Sequence, residues 1–219
     1  MKRKNLTARK KAKKKLLIFK DPKILNFYKK FESAIFKEIK DKSFALAVSG
    51  GSDSLCLAYF AKIYSSKFGN KIHVLIVDHK LRKESQKEVL KVKRILLKRE
   101  IPSKILVWKD KIPKSNIQKK ARDMRYSLLS NYCLKYKIKF LITAHHKDDQ
   151  IENFFIRLLR GSGLTGLSSM SVNTKYSDRL KIIRPLLNLD KLSLKYVTLN
   201  YFKTYIKDPS NEDEKFLRV

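Results

Sequence analysis

Phe44–Ser54, which reads FALAVSGGSDS, sets the architecture that the whole sequence predicts. Its first five residues, Phe44–Val48, are apolar or small, as in a short buried strand. The polar segment 49–54 then interrupts the run, and an apolar pattern with helical spacing opens at Leu55. A strand, a glycine-rich turn and a helix in this order aim backbone N–H groups and a helix N-terminus at one point. The stretch therefore predicts an anion-binding loop within an α/β fold.

The side chains of this loop indicate a phosphate accompanied by a cation. Two glycines let the backbone approach a phosphate closely, and three serines add hydroxyl donors. Asp53 would repel a phosphate unless a cation lay between them, so it predicts Mg²⁺. The pattern GxxxxGK[ST] is absent, because no lysine stands where that loop needs one. The candidate binding residues are Ser49, Gly50, Gly51, Ser52, Asp53 and Ser54. The alternative is an ordinary Gly-Gly turn whose serines cap a helix.

Helices and strands alternate along the rest of the chain. The patterns predict strands at Phe44–Val48, Lys71–Asp78, Lys104–Trp108, Phe140–Ala144 and Ile182–Leu187, and helices at Ile24–Ile39, Leu55–Tyr64, Glu84–Arg99, Asn116–Tyr136, from about His145 to Arg160, and from Asp190 to Phe202. This alternation predicts a doubly wound, mostly parallel five-stranded sheet with helices on both faces.

Polar residues follow three of the predicted strands directly. They are the glycine-rich loop, Asp78 with His79, and His145 with His146. In a doubly wound sheet, ligands bind beyond the carboxyl ends of the strands, where the strand order reverses. The sequence therefore predicts one shared active site at that edge.

A second group of functional side chains opens the helix near His145. His145, Asp149 and Glu152 are spaced by four and three residues, so they share one face of that helix. One imidazole and two carboxylates there can ligate a cation, accept a proton or hold an ammonium group. The alternative is helix capping, in which Asp148 and Asp149 complement the helix dipole. His146 is interpreted as a polar neighbour that points away.

Composition indicates a polyanionic partner. The 219 residues carry a formal net charge of +32, which favours nucleic acid; a genomic bias towards lysine is the competing explanation. Residues 1–20 contain ten Lys or Arg and no acid, which predicts a basic arm that meets RNA phosphates, with a transit peptide as the alternative. Residues 21–219 are predicted to form one catalytic domain without C-terminal tRNA-binding domains. Cys56 and Cys133 lie in apolar helical patterns, as core thiols do, and no run reaches membrane-spanning length.

Seven blocks, in order, give this chain a resemblance to a known family. They are SGGSDS, VDHKLRKES, NIQKKARDMRY, AHHKDDQIEN, RLLRGSGLTGL, IRPLL and the ending DPSN…FLR. Together they resemble tRNA(Ile)-lysidine synthase, a branch of the PP-loop ATP pyrophosphatases, over Phe44 to Arg218. The resemblance implies an adenine nucleotide alpha-hydrolase-like fold. HHKDDQIEN followed by RGSGLTGL is the discriminating part, since several PP-loop families share the glycine loop.

The resemblance also implies a reaction and its partners. Members of the family use ATP and Mg²⁺ to adenylate the first anticodon cytidine of a CAU-anticodon tRNA(Ile). Free L-lysine then replaces AMP, and decoding changes from AUG to AUA. The implied catalytic residues are Asp53, His145, Asp149, Glu152 and Arg218. The implied ATP site comprises the loop 49–54 and Asp78, with Asp53 holding Mg²⁺. Arg122, Arg125 and Arg160 are candidates for phosphate or RNA contacts.

Two other functions compete with this interpretation. Another PP-loop enzyme that modifies tRNA, a thiolase, would need reactive cysteines or an iron–sulfur cluster. A basic nucleotide- or RNA-binding protein without catalysis would also fit the charge. We expect a cytoplasmic protein, with an organelle as the alternative. The oligomeric state stays open, a homodimer included.

Overall fold

The computed structural model describes residues 21–82, 84–109, 115–163 and 169–207. Within these ranges the elements are α1 (Pro22–Ile39), β1 (Phe44–Ala47), α2 (Ser52–Phe68), β2 (Ile72–Asp78), α3 (Ser85–Leu97), β3 (Ser103–Val107), α4 (Ile117–Lys135), β4 (Phe140–Ile142), α5 (Lys147–Leu159), β5 (Asn173–Ser177), β6 (Leu180–Ile183) and α6 (Lys191–Phe202). No helix in the described ranges combines the length and the apolar character needed to cross a membrane.

The strands form one sheet in the order β3-β2-β1-β4-β6-β5. All neighbouring pairs are parallel except β5 with β6, which is antiparallel. The predicted doubly wound, mostly parallel sheet is therefore confirmed, but its predicted count of five strands is wrong. Sequence patterns missed β5, because all five of its residues are exposed and none belongs to an apolar run. The last predicted strand, Ile182–Leu187, corresponds to β6 (Leu180–Ile183), which begins and ends earlier than predicted. In the sheet, β6 lies between β4 and β5.

Alternating residues of the strands build two cores on opposite faces of the sheet. Phe44 and Leu46 of β1 contribute to the larger core, which also contains buried residues of α1, α2, α3 and α6. Ala45 contributes to the smaller core, which includes Leu129 and Cys133 of α4. Helices thus cover both faces of the sheet, and a binding site can form at the polar ends of its strands.

Candidate active site

A cleft of about 600 Å³ opens at the carboxyl ends of the strands. The chain adds β2 and β3 on one side of β1 and then crosses to place β4 on the other side, so the strand order reverses between β1 and β4. The loop after β1 and the segment after β4 both line this cleft. The expectation that the polar strand ends would meet at one edge is confirmed.

Ser54 holds the glycine-rich loop in shape. Its hydroxyl oxygen accepts hydrogen bonds from the backbone N–H groups of Ser49 (3.2 Å) and Gly50 (3.1 Å) and donates to the carbonyl of Gly51 (3.1 Å). The N-cap of α2 is Gly51, which makes no side-chain capping bond. Helices leave their first N–H groups without intrahelical partners, so the first turn of α2 offers donors to an anion in the cleft.

Gly50 lies behind the loop and not on the cleft wall. Its φ is +96°, and a Cβ at this position would collide with Cγ2 of Val92 on α3. Its carbonyl accepts a 2.9 Å hydrogen bond from the backbone N–H of Ile206, in the segment after α6. The hydroxyl of Thr198 on α6 also donates to the carbonyl of Ser52 at 2.6 Å. The C-terminal part of the described chain therefore clamps the loop from behind.

We expect Gly50→Ala to destabilise the protein by about 2–4 kcal/mol, because it adds a buried collision to the strain of a positive φ. The matched control is Gly69→Ala, where φ is +78° and nothing lies within 4 Å of the added methyl group. Chemical denaturation should show a loss of about 1 kcal/mol for the control. Adding Val92→Ala to Gly50→Ala should restore part of the stability. Equal losses in Gly50→Ala and Gly69→Ala would refute the collision.

His146 is the centre of the carboxylate cluster beyond β4, contrary to the expectation that it points away. Its side chain is 8% exposed, and Nε2 lies 3.6 Å from Oδ2 of both Asp53 and Asp149. Burial alone would lower the pKa of His146, but these carboxylates, together with Asp148, outweigh it and raise the pKa. The His146 imidazole therefore lies within 3.6 Å of carboxylates from both the phosphate loop and the start of α5.

Asp149 makes the capping contact that the sequence allowed and also lines the cleft. Its Oδ2 accepts a 2.9 Å hydrogen bond from the backbone N–H of His146, as a helix cap does. Its side chain also remains 30% exposed and lines the cleft. Asp148 instead faces α6, where its Oδ2 accepts a 2.7 Å hydrogen bond from the backbone N–H of Lys191. Of the two adjacent carboxylates, only Asp149 is placed to act on a ligand.

His145 lies on the cleft wall among cations. Burial is the largest cause that lowers its pKa, to about 4; the charges of Arg184, Arg122 and Arg125 lower it further, whereas Asp149 raises it. Its Nδ1 lies 2.9 Å from the hydroxyl of Thr143. His145 is consequently a neutral imidazole at neutral pH and is suited to hydrogen bonding without adding charge.

This neutral imidazole predicts a stability loss in acid. The pKa of His145 rises from about 4 in the native state to its ordinary value of 6.5 on unfolding, so the unfolded chain binds more protons between these values. The contribution is present above pH 6.5 and is lost as the pH falls towards 4, and its full size is roughly 3 kcal/mol. Denaturant titrations at pH 7, 6, 5 and 4 should show a shallower decline for His145→Gln than for the wild type. Parallel declines would contradict this prediction.

Comparison with known proteins places the chain in a family. A family model described as a PP-loop domain matches residues 23–219. The chain belongs to the PP-loop domain family. The family has the ATP-pyrophosphatase fold, which agrees with the phosphate loop and the mostly parallel sheet described above, and membership implies ATP use.

Two relatives carry the name that the sequence blocks suggested. A tRNA(Ile)-lysidine synthase of Orientia tsutsugamushi (strain Boryong) is 46% identical over 175 residues, which are 80% of this chain and 39% of that protein. A tRNA(Ile)-lysidine synthase of Rickettsia akari (strain Hartford) is 39% identical over 194 residues, 87% of this chain and 45% of that protein. The resemblance is confirmed. The chain spans less than half the length of these relatives.

A solved structure supports the same PP-loop fold. The U34-tRNA thiolase NcsA from Methanococcus maripaludis, determined with its 4Fe–4S cluster, aligns with a TM-score of 0.75 and 19% sequence identity. The alignment covers 87% of this chain and 68% of that one. At this identity the likeness concerns the fold alone.

Most of the predicted site residues of this PP-loop chain line the cleft. They are Ser49, Gly51, Ser52, Asp53, Ser54, Asp78, Arg122, Arg125, His145 and Asp149. Within the described residues, Gly50 supports the loop from behind, and Glu152 and Arg160 are exposed on or just after α5 without forming part of the cleft wall. Arg218 and the basic arm 1–20 lie outside the described residues.

Sequence reasoning missed several residues that line the cleft or act on the residues that line it. His146 was set aside, and Arg184, whose charge acts on His145, stood inside an otherwise apolar run. Lys191 and Lys195 of α6 also reach the cleft. Arg184 follows β6 directly, as the other site residues follow their strands, but the predicted strand Ile182–Leu187 enclosed it and hid this signal.

The donor set fits Mg²⁺ held jointly with a phosphate. Among the described residues, no group of three or more His, Cys, Asp or Glu side chains is arranged to hold a metal by itself. Asp53 and Asp149 nevertheless approach the same imidazole, and both side chains retain exposure. Magnesium typically takes one or two carboxylates and completes its shell with phosphate oxygens and water. Asp53, beside the anion-binding turn, is the better placed of the two.

Proposed function

We propose that this chain uses ATP to join free lysine to C2 of the first anticodon cytidine of a CAU-anticodon tRNA(Ile), forming lysidine. One observation carries the proposal: Asp53 of the phosphate loop and Asp149 of α5 line one cleft, and both carboxylates approach Nε2 of His146. The names of the PP-loop relatives support the same reaction. A reaction between a triphosphate, an amine and an RNA base needs donors, carboxylates and cations in one cavity, and this cleft combines them.

ATP would bind with its phosphates at the start of α2. Ser52 and Asp53, in the first turn of α2, line the cleft, and the backbone N–H groups of that turn would donate to the phosphates. Val77 and Asp78, at the end of β2, line the neighbouring wall and would support the adenine. Asp53 would hold Mg²⁺, and the bound ion would supply charge neutralisation of the polyphosphate.

In the first step the C2 carbonyl oxygen of the cytidine attacks the α-phosphorus. The bond from that phosphorus to the bridging oxygen breaks, and pyrophosphate leaves with the bonding electrons. Negative charge develops on the phosphoryl oxygens, and cations near the cleft would stabilise it. Arg122 and Arg125 line the wall beside His145, and a planar guanidinium suits such oxygens.

In the second step the ε-amine of lysine attacks C2, and AMP leaves as the C2–O bond breaks. Only the neutral amine is a nucleophile, so the ammonium group must first lose a proton, and the new C–N bond releases another. We assign the binding of the ammonium group and the acceptance of a proton to Asp149, since it lines the cleft whereas Glu152 lies on the exposed side of α5. His145, neutral and next to the arginines, would orient the α-phosphate.

The test uses the 219-residue chain with a CAU-anticodon tRNA(Ile) transcript, ATP, Mg²⁺ and labelled lysine. We expect pyrophosphate release that depends on tRNA, and label in the tRNA only when lysine is present. A transcript with a different first anticodon base is the matched control and should receive no label. Pyrophosphate release that needs no tRNA, or no label in the tRNA, would contradict the proposal.

The two cysteines of this chain do not fit the chemistry of a thiolase with the same fold. The chain has two cysteines, Cys56 and Cys133, and both are buried. Burial raises the pKa of Cys56 well above its usual range, and it raises the pKa of Cys133 to about 12. A thiolate nucleophile or cluster ligand needs a lowered pKa and access, so neither thiol fits that chemistry. A thiolase would also be indifferent to lysine in the assay above.

A further inference from the structure

A cation and two aromatic rings form a group that extends outward from the cleft wall, which we call the arginine–tyrosine stack: Arg122, Tyr126 and Tyr176. The guanidinium carbon of Arg122 lies 5.2 Å from the centre of the Tyr126 ring. The ring centres of Tyr126 and Tyr176 are 5.9 Å apart, and their planes differ by 23°. The two rings therefore present nearly parallel flat surfaces, and the guanidinium group lies over the ring of Tyr126.

The stack leads from the reacting centre to the edge of the sheet. Arg122 and Tyr126 are one helical turn apart on α4, and both line the cleft beside His145. Tyr176 belongs to β5, the edge strand that the sequence did not predict. Arg184 fixes the start of this strand, because its Nη1 donates to the hydroxyl of Thr174 (2.8 Å) and to the carbonyl of Ser171 (3.0 Å).

Packing does not account for the outer ring of the stack. Tyr126 packs against the smaller core, so it has a structural role. Tyr176 belongs to neither described core and is 44% exposed on a strand whose five residues are all exposed. An exposed ring held parallel to a second ring, among arginines, is the arrangement that binds unstacked bases in single-stranded RNA.

We propose that Tyr176 and Tyr126 bind a base of the anticodon loop that neighbours the reacting cytidine, and so hold that cytidine in the cleft. This inference rests on the proposed function and extends it to a second nucleotide. The stacked base keeps the loop splayed open. The aromatic faces accept any base, so the two rings, which we call the platform, contribute affinity and position. The identity of the cytidine is read elsewhere.

The test measures binding without catalysis. Anticodon stem-loop RNAs carry 2-aminopurine at one loop position at a time, and fluorescence is recorded as the 219-residue chain is added without ATP or lysine. We expect quenching at a position next to the cytidine. Tyr176→Ala should remove that quenching and weaken binding roughly ten-fold, whereas Tyr176→Phe should retain both.

Tyr136→Ala is the matched control. Tyr136 is also 44% exposed and also lies against another tyrosine, Tyr132, at 4.5 Å, but neither ring lines the cleft. It should leave quenching and affinity unchanged. The platform is overturned if Tyr176→Ala binds and quenches like the wild type, if both alanine variants lose affinity equally, or if the wild-type chain does not bind the RNA.

The experiments can reject the platform and the proposed reaction independently of each other. If the wild type transfers lysine but Tyr176→Ala keeps the wild-type quenching and the same KM for tRNA, only the platform is wrong. If the wild type transfers no lysine but Tyr176→Ala still loses the quenching, the platform stands and the proposed reaction is wrong.

Discussion

Asp149→Asn is expected to lower lysine transfer at least ~100-fold while leaving most of the tRNA-dependent pyrophosphate release intact, because a positioned proton acceptor contributes about that factor. The amide oxygen of asparagine can still accept the bond from the backbone N–H of His146, so the cap of α5 is preserved. The variant loses the charge that would receive the lysine ammonium group. Adenylated tRNA should therefore accumulate, and quenched samples would reveal it by mass spectrometry.

Asp148→Asn provides the control for this prediction. Asp148 also lies near His146, with Oδ2 3.5 Å from Nδ1, but it bonds to the backbone of Lys191 and is not part of the cleft wall. Its asparagine variant should keep lysine transfer within a few-fold of the wild type. Equal losses of pyrophosphate release and lysine transfer in Asp149→Asn would contradict the division of labour between Asp149 and Asp53.

The sequence predicted the architecture wherever burial leaves a pattern. The strands β1, β2 and β4 are short apolar runs because both faces of a central parallel strand are covered. The loop after β1 was recognisable because its glycine at positive φ and its serine, whose hydroxyl accepts hydrogen bonds from the loop backbone, are residue types that few other structures require. The meeting of the strand ends followed from topology, since parallel strands place their carboxyl ends at one edge.

Orientation and pairing set the limit of prediction. In β5, strand formation depends on hydrogen bonds to β6 and not on an apolar face, so its polar sequence carried no signal. In the His145–His146 pair, the turn into α5 buries the second imidazole among carboxylates and places the first on the cleft wall. Two adjacent identical residues cannot be ranked by spacing. Spacing likewise could not show whether Glu152 and Arg160 face the cleft, because that depends on the direction in which α5 runs.

Asp53→Asn is expected to lower tRNA-dependent pyrophosphate release at least ~100-fold, because metal-assisted charge neutralisation contributes several kcal/mol to such reactions. Asp53 lies in the first turn of α2, and its Oδ1 accepts a 2.9 Å hydrogen bond from the hydroxyl of Ser52. Asparagine preserves that bond but cannot offer an anionic ligand to Mg²⁺. In this variant both half-reactions fail, unlike in Asp149→Asn, because lysine has no adenylated cytidine to attack.

The readout that separates ligand loss from general damage is the Mg²⁺ dependence of nucleotide binding. Calorimetric titration of a non-hydrolysable ATP analogue should become tighter with Mg²⁺ in the wild type, and this gain should largely disappear in Asp53→Asn. Asp41→Asn removes one negative charge from an exposed position distant from the cleft wall and should behave as the wild type. An Asp53→Asn variant that keeps the full magnesium effect would transfer the metal-binding role to Asp149, since its carboxylate approaches the same imidazole at the same distance of 3.6 Å.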